Sequence, residues 1–408
     1  LIWHLPLYKR LGKQSKLSGF YREMWISPVL AVLTIILVYF FRPAAWLAAL
    51  PVVLLWIFAP FGTWAISLPF REKASRLSEL QWRSLHQLAC RTWRYFDTFI
   101  TEEDHYLPPD NFQEIPEPML ASRTSPTNIG FALTSYLTAW DFGYLSIHEL
   151  LKRVGRTLDS MEKLERYRGH FYNWYDTRTL KPLPPRYVSS VDSGNLVACL
   201  VVLRAGLEEL CERTAFPKQI WNGLNDALNI AEIYSKEASS SFAGLISETK
   251  LMLMDSPCET QAVLERLRSL LLLAGQMTNL APSERFPDAP GWADFFHAMC
   301  RMHLESTEAL FDEGTTEITL RELVKTKDDE SAPNEASANA AALIKNIEEL
   351  AERCQQIQTS MDFRFLYNRR RELLSIGFDV DTRRLDTSCY DLLASESRIA
   401  SFLAIAEE

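Results

Sequence analysis

The hydrophobic pattern begins with runs too long to alternate. Met24–Phe41 (MWISPVLAVLTIILVYFF) is 18 residues without a charge, and Pro43–Phe70 is 28 more, with only Arg42 between them. A bilayer core takes about 20 apolar residues per helix. The pattern therefore predicts two transmembrane helices, a hairpin over residues 24–70 that turns at Arg42-Pro43. A basic segment, 1–23, carries Lys9, Arg10, Lys13, Lys16 and Arg22 ahead of it, and Arg71, Lys73 and Arg76 follow. Positive charge on both flanks predicts that both are cytoplasmic, as an even number of spans requires. A buried helical hairpin in a soluble core is the alternative, disfavoured because so long an uncharged run is rare in soluble domains. The run starts too late for a signal peptide and no small-residue cleavage site follows it.

Beyond residue 77 the apolar positions fall into three- and four-residue steps. Leu80, Trp82, Leu85, Leu88, Ala89, Trp93 and Phe96 predict an amphipathic helix over 77–101. A proline-broken connector, HYLPPDNFQEIPEPM, separates it from a helix opened by Ser125-Pro126-Thr127 and running to about Trp140. Ser146–Tyr167 reads as the next helix. Asp192-Ser193 reads as the N-cap of another, Gly194–Cys211. Helices with polar breaks continue over 215–325. The acidic, apolar-poor stretch 326–339 predicts a mobile insertion, and Ala340–Thr359 is again helical. Two short apolar runs around Tyr367–Arg371 have the signature of a β-hairpin, and SCYDLLASESRIASFLAIAEE returns to helix. The prediction for residues 77–408 is a mainly α body with one small hairpin. Helix pairs around a common core suggest an α/α toroid, with an irregular helical array as the alternative. No repeat of solenoid length is present. The start at Leu1 and the end at Glu408, inside a helical pattern, predict a domain truncated from a longer protein.

Charge sharpens this division. The formal net charge is −9, yet residues 1–76 hold nine Lys/Arg against two Asp/Glu, a balance of +7, so the rest carries −16. An acidic body argues against nucleic acid as a partner, because phosphate recognition needs a basic face. The seven cysteines are scattered, with no CxxC and no clustering with histidine. Free, mostly buried thiols in a reducing compartment follow, and no metal site is expected.

Candidate chemistry concentrates in YRGHFYNWYDTRTLKPLPPRYVSSVDSGNL, residues 167–196. Here His170, Asn173, Trp174, Tyr175 and Asp176 mix aromatic faces with hydrogen-bonding edges. Sugar rings, apolar on their faces and ringed by hydroxyls, suit such a surface. A core role for the aromatics, with Asp176 capping a turn, is the competing reading. Asp192, among Ser189, Ser190, Ser193 and Asn195, is either a helix cap or part of a donor-rich helix end suited to hydroxyls or anions. Asp110, Asn111 and Glu114 in the connector, and Arg123, Thr124, Ser125, Thr127 and Asn128 at the next helix start, would line the same mouth of a toroid. In YDLLASES, Tyr390, Asp391 and Glu396 open an otherwise apolar helix. Glycoside chemistry needs two carboxyl groups. Glu396, flanked by small residues, is a candidate for one; the alternative is a carboxylate held by the helix dipole.

Three long stretches, RTSPTNIGFALTSYLTAWDFGYLS (123–146), residues 167–196, and LLSIGFDVDTRRLDTSCYDLLASESRIASFLAIA (373–406), closely resemble the glucoamylase-like cyclisation domain of bacterial cyclic β-1,2-glucan synthases. TWRYFDTFITEEDHYLPPDNFQEIP (92–116) resembles the start of that domain. The resemblance covers roughly residues 1–210 and 360–408 and is weak between. It implies an inner-membrane, multi-pass protein with its soluble body on the cytoplasmic side and an (α/α)₆ toroid of which this chain holds part. It implies further a neighbouring glycosyltransferase domain using UDP-glucose, a phosphorylase-like domain that adjusts chain length, and a β-1,2-glucan chain closed here by transglycosylation. No cofactor is expected in this part. The family's LLASE carboxylate falls on Glu396, and the resemblance assigns its partner to a Glu in a WGISES-like motif that this sequence does not contain. The chain alone is therefore expected to be inactive. His170, Asn173, Trp174, Tyr175, Asp176 and Asp192 are expected to grip glucose units, with Asp110, Asn111, Arg123, Thr127, Asn128, Tyr390 and Asp391 around them. A β-1,2-glucan hydrolase, a non-catalytic glycan-binding or assembly module, and a membrane-anchored helical scaffold are the alternatives.

Overall fold

The computed structural model describes residues 17–67, 77–235, 240–281, 288–311, 314, 316–325, 335–390 and 396–406. The chain divides into two compact units, Leu1–Leu77 and Ser78–Glu408.

In the first unit α1 (Leu17–Glu23) is bent by 66° from α2 (Ile26–Phe41), and a 3₁₀ turn, Pro43–Ala45, leads into α3 (Trp46–Ser67). Counted from Pro43, the last segment is long and apolar enough to cross a membrane. At 1.5 Å per residue the 16 residues of α2 reach about 24 Å, short of a ~30 Å hydrocarbon core. It meets the length only together with α1. Pro51 and Pro60 lie inside α3. Pro60 has no N–H for the carbonyl of Trp56 four residues back, and the Ser27 hydroxyl of α2 donates to that carbonyl at 2.8 Å. A proline in an apolar helix is tolerated where a neighbouring helix supplies the missing donor in this way.

The second unit is helical, in agreement with the sequence. Its helices are α4 (Glu79–Phe99), α5 (Pro126–Asp141), α6 (Ile147–Lys163), α7 (Ser190–Leu210), α8 (Gln219–Ser235), α9 (Ser240–Leu253), α10 (Thr260–Leu280), α11 (Asp288–Leu310), α12 (Leu320–Lys325), α13 (Glu335–Thr359) and α14 (Ser397–Ala406). Serines cap the first three, Ser125 where the sequence expects that helix to open. Ser78 forms a capping box with Gln81, and Ser125 and Ser146 accept from the amides of Asn128 and Glu149. α7 is the hub: α5, α13 and α14 all pack on it, and Leu196, Val197, Leu200, Leu203 and Leu207 are fully buried. It too is long and apolar enough to span a membrane, but it is more than half buried inside this unit, which explains its composition as that of a core helix. α11 organises the far side against α8, α10 and α13.

Glu335 opens α13, so residues 335–339 of the expected insertion are helical, held by burial of Ala336 and by Asn339, whose amide donates to the Ala309 carbonyl at 2.8 Å. Residues 326–334 lie outside the described ones.

Short strands stitch the connections: β1 (Phe112–Gln113) with β2 (Met119–Leu120), β3 (Arg123–Thr124), β4 (Arg166–Tyr167), β5 (His170–Phe171), β6 (Tyr175–Asp176), β7 (Tyr187–Ser189), β8 (Tyr367–Asn368), β9 (Leu373–Leu374), β10 (Gly377–Asp379) and β11 (Arg384–Leu385). The expected hairpin is β8–β9, with Tyr367 opposite Leu374 and Asn368 opposite Leu373. Long-range pairings were not legible in the pattern. β10 pairs with β7, setting Gly377 opposite Ser189, and β3 pairs with β6, setting Arg123 opposite Asp176. The cysteines are free, and four of them (Cys90, Cys211, Cys300, Cys354) are buried.

The β4–β5 turn depends on Gly169, at φ +81°, where a Cβ would collide with the Ser360 carbonyl. Gly169→Ala is expected to destabilise the second unit by more than ~2 kcal/mol, since the left-handed backbone alone costs ~1–2 kcal/mol. Thermal unfolding monitored by circular dichroism measures it.

Candidate functional site

The aromatic stretch divides into a buried half and an open half. His170 is fully buried, its Nδ1 2.8 Å from the Ser193 hydroxyl and its ring edge-on to Phe363 and Phe365. Burial pushes its pKa down to about 4, against a smaller upward pull from Asp362, so the ring is neutral at pH 7. Tyr175 is also fully buried: its hydroxyl donates to the Glu165 carbonyl at 2.6 Å and accepts the Tyr172 amide at 2.7 Å. The expectation that His170 and Tyr175 grip a ligand is corrected accordingly. Both side chains lie in the core: Tyr175 has its hydroxyl fully bonded there, and His170 is packed against Phe363 and Phe365 with Nδ1 on Ser193, while its Nε2 has no partner among the described residues. Asp176 is a turn residue. Its Oδ1 accepts from the amides of Arg178 (3.0 Å) and Thr179 (2.8 Å) and from the Thr179 hydroxyl (3.0 Å), so it caps the loop rather than facing a ligand.

Asn173 and Trp174 remain half-buried at the surface. The β3–β6 pairing brings Arg123 beside them, with its guanidinium 4.6 Å above the Trp174 ring. That stack covers one indole face and leaves the ring held flat. Arg123 also binds Asp110 Oδ2, at 2.8 Å through Nη2 and 3.1 Å through Nε. Asn111 donates to the same oxygen at 3.1 Å and Asn128 to the other at 3.4 Å. Five of the expected residues, Asp110, Asn111, Arg123, Asn128 and Trp174, thus form one cluster. A cleft of about 370 Å³ adjoins it, lined by Asp110, Asn111 and Asn128 together with Tyr95, Phe112 and Phe131.

Asp192 does not cap α7. Ser189 does, its hydroxyl accepting the Asp192 amide at 3.2 Å, and α7 starts at Ser190, earlier than the sequence suggests. The Asp192 carboxylate is therefore available at the helix mouth. The Thr127 hydroxyl donates to its Oδ1 at 2.7 Å, and Asn195 donates to Thr127 at 3.2 Å. With its amide oriented to satisfy both neighbours, Asn173 donates to Asp192 Oδ2 at 3.0 Å and accepts the Trp174 indole N–H at 3.2 Å. Polar contacts consequently run without a break from Asp110 through Arg123, Trp174 and Asn173 to Asp192 and Thr127. The N-terminal ends of α5 and α7 converge there through the Thr127–Asp192 hydrogen bond. Close approach is possible because Gly130 of α5 lies against Cys199 of α7.

α14 brings in the last member. Glu396 is exposed and immediately precedes the helix, its carbonyl accepting the Ile399 amide at 3.2 Å. It therefore sits before the first helical turn, not within it. One turn further, Ala400 packs on Gly194, where an added Cβ would fall 2.5 Å from the Ala400 Cβ. Tyr390 lies ahead of α14 in the chain, its pKa raised by burial and then by the charges of Asp192, Glu396 and Asp386. A protonated phenol can donate a hydrogen bond to a hydroxylated ligand. Asp391 lies outside the described residues. Gly194 is the contribution the sequence reading did not single out as a site residue. Gly194 inside an apolar helix was the available signal for a close backbone approach. Among the described residues no His, Cys, Asp or Glu group is arranged to hold a metal ion.

Two outcomes test the division between core and surface. Tyr175→Phe leaves the Tyr172 amide and Glu165 carbonyl without their partner and is expected to cost ~1–3 kcal/mol of unfolding free energy. Burial also pushes the His303 pKa down to about 4, so both His303 and His170 favour their neutral forms when folded. The unfolded chain takes up these protons near pH 6.5 and the folded chain only near 4. Stability is thus full above pH 6.5 and falls through that window, by about 3 kcal/mol per histidine. Urea midpoints at pH 7 and 4.5 measure the loss, and His170→Gln should roughly halve it.

No family model matches the chain. It aligns over its whole length with the cyclic beta-(1,2)-glucan synthase NdvB of Rhizobium meliloti (strain 1021), 33% identical over 430 residues, and spans 14% of the length of that protein. A crystal structure from Bacteroides fragilis NCTC 9343, assigned provisionally as a glucoamylase, is 19% identical and covers 41% of this chain and 40% of its own, with a TM-score of 0.28. A likeness at that level carries no weight for the fold, which rests on the helices themselves. End to end, then, the chain is similar to one stretch of a cyclic β-1,2-glucan synthase.

Proposed function

We propose that this chain is the membrane-anchored, glucan-handling part of a cyclic β-1,2-glucan synthase, binding a linear β-1,2-glucan and taking part in its closure by transglycosylation. The observation that carries this reading is the continuous polar surface from Asp110 to Asp192 at the mouth of α7, the helix on which α14, led by Glu396, packs. A flat indole flanked by amides and carboxylates matches the face and rim of a glucose unit. Helix pairs around the α7 hub are consistent with part of an (α/α)₆ toroid.

In the proposed chemistry Glu396 is one of the two carboxyl groups that break and remake the glycosidic bond. The other is supplied by the Glu of the WGISES-like motif that the family resemblance implies. Asp192, held by Thr127 and Asn173, orients sugar hydroxyls, and Tyr390 donates between it and Glu396. UDP-glucose is used by a separate transferase domain, and a phosphorylase-like domain trims chain length. The first unit anchors the protein in the bacterial inner membrane, with the helical body on the cytoplasmic side. A plain β-1,2-glucan hydrolase differs only in admitting water where a sugar hydroxyl attacks.

Glu396→Gln in the whole synthase is expected to abolish cyclic product while linear glucan still accumulates, as read by mass spectrometry of the oligosaccharides. Undiminished cyclic product would remove Glu396 from the mechanism. The 408-residue chain alone is expected to bind linear β-1,2-glucan without converting it, and Trp174→Ala to weaken binding at least ~5-fold, about 1 kcal/mol, in a calorimetric titration.

A further inference from the structure

α4 presents two contrasting faces. Cys90 and Trp93 point into the helical body, whereas Leu80, Trp82, Leu85 and Leu88 are 76%, 53%, 49% and 62% exposed. Leu85 and Leu88 form one wall of an open groove of about 370 Å³, with Thr134 and Thr138 of α5 on the other. Phe131 of α5, 53% exposed, lies on the same helix one turn before Thr134. The buried Trp93 indole N–H, which also lines the groove, has no hydrogen-bond partner. A ridge of large apolar side chains like this one marks a contact surface.

The surrounding charge identifies what it contacts. Arg83 and Arg91 are exposed on α4, and Arg91 forms no ion pair among the described residues. Arg71, Lys73 and Arg76 precede the helix in sequence, against Glu72 and Glu79. Basic charge beside an apolar ridge, in a chain whose remainder is acidic, is the pattern of a helix that lies on an anionic lipid surface. Trp82 suits the headgroup level, where indole rings collect. Residues 68–78 connect α3 to α4, so a bilayer surface is within covalent reach of a helix whose predecessor spans it. A second copy of the chain would bring like basic margins together.

We infer that α4 lies in the plane of the membrane with Leu80, Trp82, Leu85 and Leu88 at the boundary of headgroups and acyl chains of anionic phospholipid. This inference rests on the membrane anchoring proposed above. The test reconstitutes the full chain into phosphatidylcholine vesicles with or without phosphatidylglycerol, each containing a phospholipid with a photoreactive diazirine on its acyl chain. Adducts are then mapped by mass spectrometry. Adducts are expected on 80–88 as well as on 46–67. Those on 80–88 should be stronger with phosphatidylglycerol and fall severalfold in the Leu85→Glu, Leu88→Glu double variant, whose changes are on the surface. Adducts on 46–67 with none on 80–88 would overturn the inference and leave the anchoring standing. Adducts on neither would overturn both, and adducts on 80–88 alone would keep the surface contact and remove the span. A ridge unlabelled by lipid in a chain that runs as a dimer would assign it to a second copy instead and overturn the inference.

Discussion

The candidate site depends on how closely α14 approaches the first turn of α7. Gly194 has no side chain, and Ala400 occupies the space where one would be. That contact brings the residue just ahead of α14, Glu396, to the end of α7 that carries Asp192, and Tyr390 feels the charge of both. At the same turn the Ser189 hydroxyl takes over the capping of α7 and leaves the Asp192 carboxylate to Thr127 and Asn173. One glycine therefore sets how close α14 comes to α7, and one serine frees the Asp192 carboxylate for other partners.

Around that turn the structure separates residues that build the site from residues that are the site. His170 and Tyr175 are buried beneath it, His170 Nδ1 bonded to Ser193 and the Tyr175 hydroxyl to Glu165 and Tyr172. Such bonds are costly to break in the interior, so they fix the loop that carries Asn173 and Trp174. Arg123 then holds the Trp174 ring from above while neutralising Asp110. The exposed part is correspondingly rigid, and a rigid aromatic platform loses little freedom on binding.

The first unit obeys the same rule in an apolar setting. Pro60 removes one donor from α3, and Ser27 of α2 restores it at the Trp56 carbonyl. Two otherwise featureless apolar helices gain a specific register from one hydroxyl.

The amino-acid sequence by itself determined the elements whose cause is local. Periodicity placed α4, α5 and α6, with the Ser125-Pro126 start marking α5; the charge-free runs marked the apolar helices, and two short apolar runs around Tyr367–Arg371 marked the β8–β9 hairpin. It also identified Asp110, Arg123, Trp174 and Asp192 as chemistry-bearing. Tertiary structure alone decided which of the candidates can meet a ligand. The β3–β6 and β7–β10 pairings join segments that lie far apart in the chain, and no local pattern encodes them. Those pairings turn Tyr175 inward and set Arg123 over Trp174. Burial, rather than residue type, then makes His170 a core residue and leaves Glu396 exposed.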